Sequence, residues 1–197
     1  MSLMCCILLL LPGTSELPSE IADAVASIDI MVSEIESMGL TSRPFRETNP
    51  SFQGPGSSST EVILREDRLS EIVDDMLIET DLLRKMVCSY NYAASFRISA
   101  SYYYDTEENL VLCISTWEAR DEVEPLCEDR YYYSGDEILA CSFDGSPLIV
   151  PSGTNLDRGY ARLEHSEYIL TEIAELCLSA PSIFEERFDF VYSSYGE

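Results

Sequence analysis

The sequence predicts an α+β fold: a four-stranded antiparallel meander with helices packed on one face. Three observations carry that expectation. Residues 102–115 read YYYDTEENLVLCIS and residues 131–143 read YYYSGDEILACSF, so a tyrosine triplet, an acidic turn and an aliphatic run with a cysteine occur twice. Residues 95–104 alternate with period two, the mark of a strand with two different faces. Three other stretches, 19–38, 66–87 and 157–179, space their apolar residues three and four apart, as a helix does.

The chain opens on an unbroken apolar run, MCCILLLL at 4–11, followed by Pro12, Gly13, Thr14 and Ser15. A membrane-spanning helix takes about 20 apolar residues, so this run is too short for one. Its length suits the hydrophobic region of an export signal, with cleavage after Ser15, although no lysine or arginine precedes it. Residues 1–15 are therefore read as a signal-like apolar segment. Export or the cell envelope is favoured over the cytoplasm, the alternative being a buried first strand.

Residues 16–60 are read as an N-terminal helix and a linker. In the helix at 19–38, Ile21, Val25, Ile28, Val32 and Ile35 form one stripe, Pro18 suits the start and Gly39 the stop. Residues 41–60, with three prolines, two glycines and a serine run, read as a flexible linker.

Residues 61–197 are read as the α+β domain. It begins with a helix at 66–87, with Leu69, Ile72, Val73, Met76, Leu83 and Val87 inward, an acidic face outward, and Arg84 and Lys85 at the negative end of its dipole. In the sheet, Phe96, Ile98, Ala100, Tyr102 and Tyr104 take the inner face. Leu110, Leu112 and Ile114 continue it on the second strand, while Val111, Cys113, Ser115 and Trp117 take the other. Residues 130–133 and 137–143 form the second hairpin around Ser134-Gly135-Asp136. The last helix points Leu163, Leu170, Ile173 and Cys177 inward, and Pro181 ends it before an aromatic tail.

Charge limits the functions open to such a chain. Among 197 residues, 36 are acidic and 12 basic, giving a net charge of −24 and a pI of about 4.1, while an apolar content of 46% supports a folded core. Phosphate backbones and anionic membranes repel such a surface, so nucleic acid is not an expected partner. A cationic protein would be steered inward. Seven cysteines show no CxxC and no cysteine–histidine spacing, so no metal site is expected. A Cys113–Cys141 bridge is opposed by the strand that a meander places between them.

Motifs that bring chemistry are scarce. GxSxG, GxGxxG and GxxxxGK[ST] are all absent. His165, the only histidine, falls off the apolar stripe of its helix and reads as a surface residue. Carboxylate pairs such as Glu107-Glu108 and Asp136-Glu137 lie on turns, where they could gather calcium, but without EF-hand spacing. No catalytic residue and no cofactor is expected. The expected binding surface is aromatic: Tyr103, Trp117 and Tyr132 on a sheet face opposite the core, offering large contact area at low entropic cost, the alternative being that the first helix or the tail covers that face.

The repeated hairpin resembles that of small bacterial exported or lipoprotein-type domains with a YYxD-x-x-G-x-L hairpin, repeated and followed by a C-terminal helix. The resemblance covers about residues 102–177. The chain departs from it at the first turn, where Asn109 or a neighbour takes the glycine position. It implies export and binding rather than catalysis. Two function classes follow: a non-enzymatic acidic binding or inhibitory module recognising a basic protein partner, or a carboxylate-based enzyme or calcium-binding protein. Self-association is a plainer third case.

Overall fold

The computed structural model describes residues 17–48, 59–73, 76–92, 96–119 and 127–176. The elements run α1 (Ser19–Ser37), β1 (Thr41–Thr48), β2 (Ser59–Val73), β3 (Met76–Tyr92), β4 (Phe96–Tyr104), β5 (Leu110–Ala119), β6 (Cys127–Ser134), β7 (Glu137–Phe143) and α2 (Thr154–Leu176). The strands form one antiparallel sheet in sequence order, β1-β2-β3-β4-β5-β6-β7. The signal-like segment, the aromatic tail and Cys177 lie outside the described residues. Among the described residues, no helix is long and apolar enough to cross a membrane.

The predicted four-stranded meander is thus the β4–β7 part of a seven-stranded sheet. The three added strands come from segments read as linker and helix. Residues 41–48 pair with β2, Pro44 sitting on the edge strand where a missing amide is tolerated. Residues 66–73 form the end of β2 and residues 76–87 most of β3, not a helix. The physical reason is visible in the register: Ile72 faces Leu77 and Val73 faces Met76 across a hairpin. Apolar residues mirrored about a turn produce three- and four-residue spacings that a helix template also accepts. Packing on β4 then decides the outcome, with Met86 and Cys88 wholly buried opposite Tyr102 and Ala100. Beyond Glu66 and Leu83, β2 and β3 pair with each other alone among the described strands, forming a two-stranded ribbon that projects from the sheet.

The tyrosine triplets set the rest. Tyr102 pairs with Cys113, Cys113 with Tyr131, and Tyr131 with Cys141, so the triplets occupy one transverse row two strands apart. Each hairpin carries a register shift at the same place, between Tyr103 and Tyr104 and between Tyr132 and Tyr133. Val111 and Leu139 are the corresponding extra residues. The sequence repeat is therefore also a structural repeat. The shift corrects the predicted faces: Cys113, Ser115 and Trp117 share the Tyr102 face, and Leu112 and Ile114 lie on the other.

Both faces are apolar, which overturns the expectation of helices on one side. Tyr102, Tyr104, Tyr131, Tyr133, Cys113 and Cys141 pack with Ile169 and Ile173 of α2. Tyr103, Tyr132, Val111, Leu112 and Ala140 pack with Val25, Ile28 and Ile35 of α1. Successive side chains on a strand point oppositely, so α1 and α2 cover opposite faces. The predicted α1 stripe seats as expected. The helix ends where the Met38 N–H donates to the carbonyls of Glu34 and Ile35, at 3.1 and 3.2 Å.

α2 approaches the sheet closely because Gly159 has no side chain. A Cβ there would lie 2.5 Å from Ile138 Cδ1 and 3.0 Å from Tyr131 Cδ1. The Tyr133 hydroxyl donates to the Gly159 carbonyl at 2.9 Å, fixing the same contact. Gly159→Val is expected to lower the unfolding free energy by ~1–3 kcal/mol in urea denaturation, through overpacking. Adding Ile138→Ala should restore part of the loss. A Gly159→Val protein as stable as the parent would mean that α2 does not rest on β7 at this point.

Candidate functional site

The residues expected to form an aromatic binding surface are divided between the two faces. Tyr103 and Tyr132 lie together beneath α1, only 5% and 2% exposed. Trp117 lies half-buried on the opposite face, at the edge of the α2 core. The α1 side is held by charge as well as apolar contact. The Tyr103 hydroxyl donates to Glu36 Oε1 at 2.7 Å and the Tyr132 hydroxyl to Asp29 Oδ1 at 3.0 Å. Lys85 stands 4.8 Å from the centre of the Tyr103 ring and forms an ion pair with Glu36. Burial pushes the Glu36 carboxyl up, but the bonds from Lys85 and Tyr103 outweigh it and hold the group below its ordinary value. Burial and the neighbouring Glu36 carboxylate raise the Tyr103 phenol well above its ordinary value.

A polar layer lies beneath α2. The stripe that meets the sheet runs Gly159, Arg162, His165 with Ser166, Ile169 and Ile173, at helical spacing. Arg162 is 1% exposed and His165 3%, so the only histidine is a core residue and not the surface residue expected. Its Nδ1 shares a 2.6 Å hydrogen bond with the Tyr102 hydroxyl. Leu163 and Leu170, expected inward, are only half-buried beside this stripe. The missed signal was position: His165 and Arg162 fall on the same helical face as Ile169 and Ile173.

This layer keeps its thiols and phenols neutral. Burial raises the Cys113 thiol to about 12, with Arg162 drawing it down and Asp129 pushing it up. Burial, then Asp129, raises Cys141 to about 11. Burial lifts Cys88 and Tyr133 well above their ordinary values. Neutral thiols are poor nucleophiles and poor metal ligands. Cys88, Cys113, Cys127 and Cys141 are all free, and Tyr131 stands between Cys113 and Cys141 in the row, as a meander requires.

An open concavity lies at the turn end of the sheet. The turns at 105–109 and 134–136 and the middle of α2 enclose a cleft of ≈140 Å³. Glu108, Asp136 and Glu167 stand on its walls with Leu110, Leu163 and Leu170, and Tyr104 and Ser166 also line it. The turns shape it differently. In the first, Asp105 Oδ1 accepts from the Glu107 and Asn109 N–H groups, at 2.8 and 2.9 Å. Glu108 takes the left-handed position there (φ 62°) that Gly135 takes in the second (φ 57°). This Glu108 carboxylate accepts the Leu83 N–H at 3.1 Å, capping the base of the β2–β3 ribbon. Among the described residues, no three histidine, cysteine or carboxylate side chains gather closely enough to hold a metal ion.

No family model, curated protein or solved structure matches the chain.

The raised thiols and phenols have a pH consequence. A group whose acid dissociation is suppressed by folding contributes stability below its unfolded value, and that stability is lost as the pH climbs toward the folded one. For Cys141 the window runs from the ordinary thiol value of 9.0 to about 11. Urea midpoints are expected to hold level through neutral pH and to fall above about pH 9, each such group contributing up to ~1.4 kcal/mol per pH unit. Cys141→Ala should make the first part of that fall shallower. A midpoint rising between pH 9 and 11 would contradict the burial of these groups.

Proposed function

We propose that the protein is a non-enzymatic binding or inhibitory module that recognises a basic protein partner. One observation carries the reading, the way charge is sorted over the molecule. Among the described residues, the exposed arginines are Arg43, Arg65, Arg68 and Arg97, all on β1–β4. On α1, on α2 and at the β4–β5 and β6–β7 turns, the exposed charged groups are carboxylates such as Glu34, Glu107, Asp136, Asp157 and Glu164. Of the basic residues in this part of the molecule, Arg162 is buried, Arg158 and Arg130 are half-buried, and Arg130 pairs with Glu128 at 2.7 Å. A one-signed surface on a rigid sheet attracts a cationic partner over long range and disfavours an anionic one.

The neutral thiols and the buried histidine also fit a non-catalytic role. A histidine with 3% exposure serves packing and hydrogen bonding in this state, since substrate does not reach it.

Retention of partners on the immobilised chain tests the reading. Proteins captured from a lysate at about 0.01 M salt should be predominantly basic, and should be released at about 1 M, where the screening length falls from ~30 to ~3 Å. Retention that is unchanged by salt, or a captured set that is mainly acidic, would contradict it.

A further inference from the structure

We propose that Arg84 binds a small carboxylate at the base of the β2–β3 ribbon, a site separate from the acidic surface offered to a basic partner. Arg84 is the extra residue of the β2–β3 bulge. Arg65 faces Lys85 and Glu66 faces Leu83, so β2 passes Arg84 by, and β3 joins β4 only from Lys85 onward. The residue thus stands at the notch where the ribbon leaves the sheet, with no register partner on either neighbouring strand.

Its side chain is an anomaly. Arg84 is 6% exposed, and its Nε is buried without a hydrogen bond. No carboxylate among the described residues pairs with it. Those around this stretch of β3 are committed elsewhere: Glu66 to Arg43, Asp81 to Arg68 at 3.0 Å, Glu36 to Lys85 and Tyr103, and Glu108 to the Leu83 N–H at 3.1 Å. A guanidinium keeps its charge inside a protein, and a buried charge without a counter-ion is costly.

The chemistry of the ligand follows from the fork and its surroundings. A guanidinium presents parallel N–H groups that match the two oxygens of a carboxylate. The main chain beside it already donates to one carboxylate oxygen, that of Glu108. Glu66 and Glu108 at the same base repel a second negative charge on a ligand, which favours a carboxylate over a phosphate dianion. The slight exposure of Arg84 admits a small acid rather than a folded surface.

The test is a ¹H–¹⁵N NMR titration of the full chain, with sodium acetate replacing sodium chloride at constant ionic strength. Acetate is expected to shift the amides of Leu83, Arg84, Lys85 and Glu108 to saturation. Arg84→Met should weaken this binding at least about tenfold, because the bidentate pair is lost. Arg97→Met, the same change at an exposed arginine of β4, should stay within about twofold of the parent, since it removes only a screened charge. Acetate should also raise the urea midpoint of the parent and not that of Arg84→Met. Parent amides that do not shift, or equal saturable shifts in the parent and Arg84→Met, overturn the assignment. Phosphate shifting these amides where acetate does not overturns the choice of a carboxylate.

Discussion

The pairing of Cys113 with Tyr102 on one side and Tyr131 on the other is the constraint on which the structure depends. It aligns the two tyrosine triplets in one row and, by the pleat, sends their members to opposite faces. Tyr102, Tyr104, Tyr131 and Tyr133 build the floor under α2, while Tyr103 and Tyr132 build the floor under α1. A slip of one residue would exchange these sets. It would carry Tyr103 away from Glu36 and set Tyr102 apart from His165. The paired bulges absorb an extra residue in each hairpin, so Leu110 and Ile138 return to the α2 side despite the odd spacing.

Two faces built from tyrosine explain why polar groups penetrate so far inward. A phenol is apolar along its ring and polar at its tip, so a helix packed against a row of them meets hydroxyls that favour a polar partner. α1 answers with Glu36 and Asp29 from its flanks, and these residues remain exposed to water. α2 answers from its buried stripe with His165 and with the bare carbonyl of Gly159. The same stripe carries Arg162, whose charge draws the Cys113 thiol down while that of Asp129 pushes it up. The helices therefore differ in kind: α1 is a charged clamp on an apolar stripe, and α2 a polar key in a tyrosine lock.

Local pattern made much of this legible. The repeated YYY blocks located two hairpins, and α1 was readable from its stripe and its flanking Pro18 and Gly39 because it packs on one apolar band. The stretch 66–87 misled because its apolar residues are mirrored about a hairpin turn, and such a mirror imitates helical spacing until a neighbouring strand is known. β1 was hidden by Pro44 and by the prolines and serine run that follow it in sequence, since an edge strand needs little hydrophobic signal when a single partner holds it. His165 and Arg162 were hidden by type. Polar residues are expected outside, and the burial of His165 depends on the Tyr102 hydroxyl opposite it. The acidic cleft could not be read at all, because it depends on two turns and a helix meeting across about sixty residues of chain.

For function, the consequence is an interior that holds the thiols and the histidine buried, with exposed carboxylates on the helices and turns. The partner-facing reading therefore stands or falls with the sheet that presents the two turns side by side. Cross-strand nuclear Overhauser effects measure that sheet most directly. Main-chain contacts should join Cys113 to both Tyr102 and Tyr131, with Tyr103 side-chain contacts to α1 and Tyr102 side-chain contacts to His165 of α2. Contacts joining Leu112 to Tyr102 as direct partners, or both Tyr102 and Tyr103 side chains reaching the same helix, would contradict the register and everything built upon it.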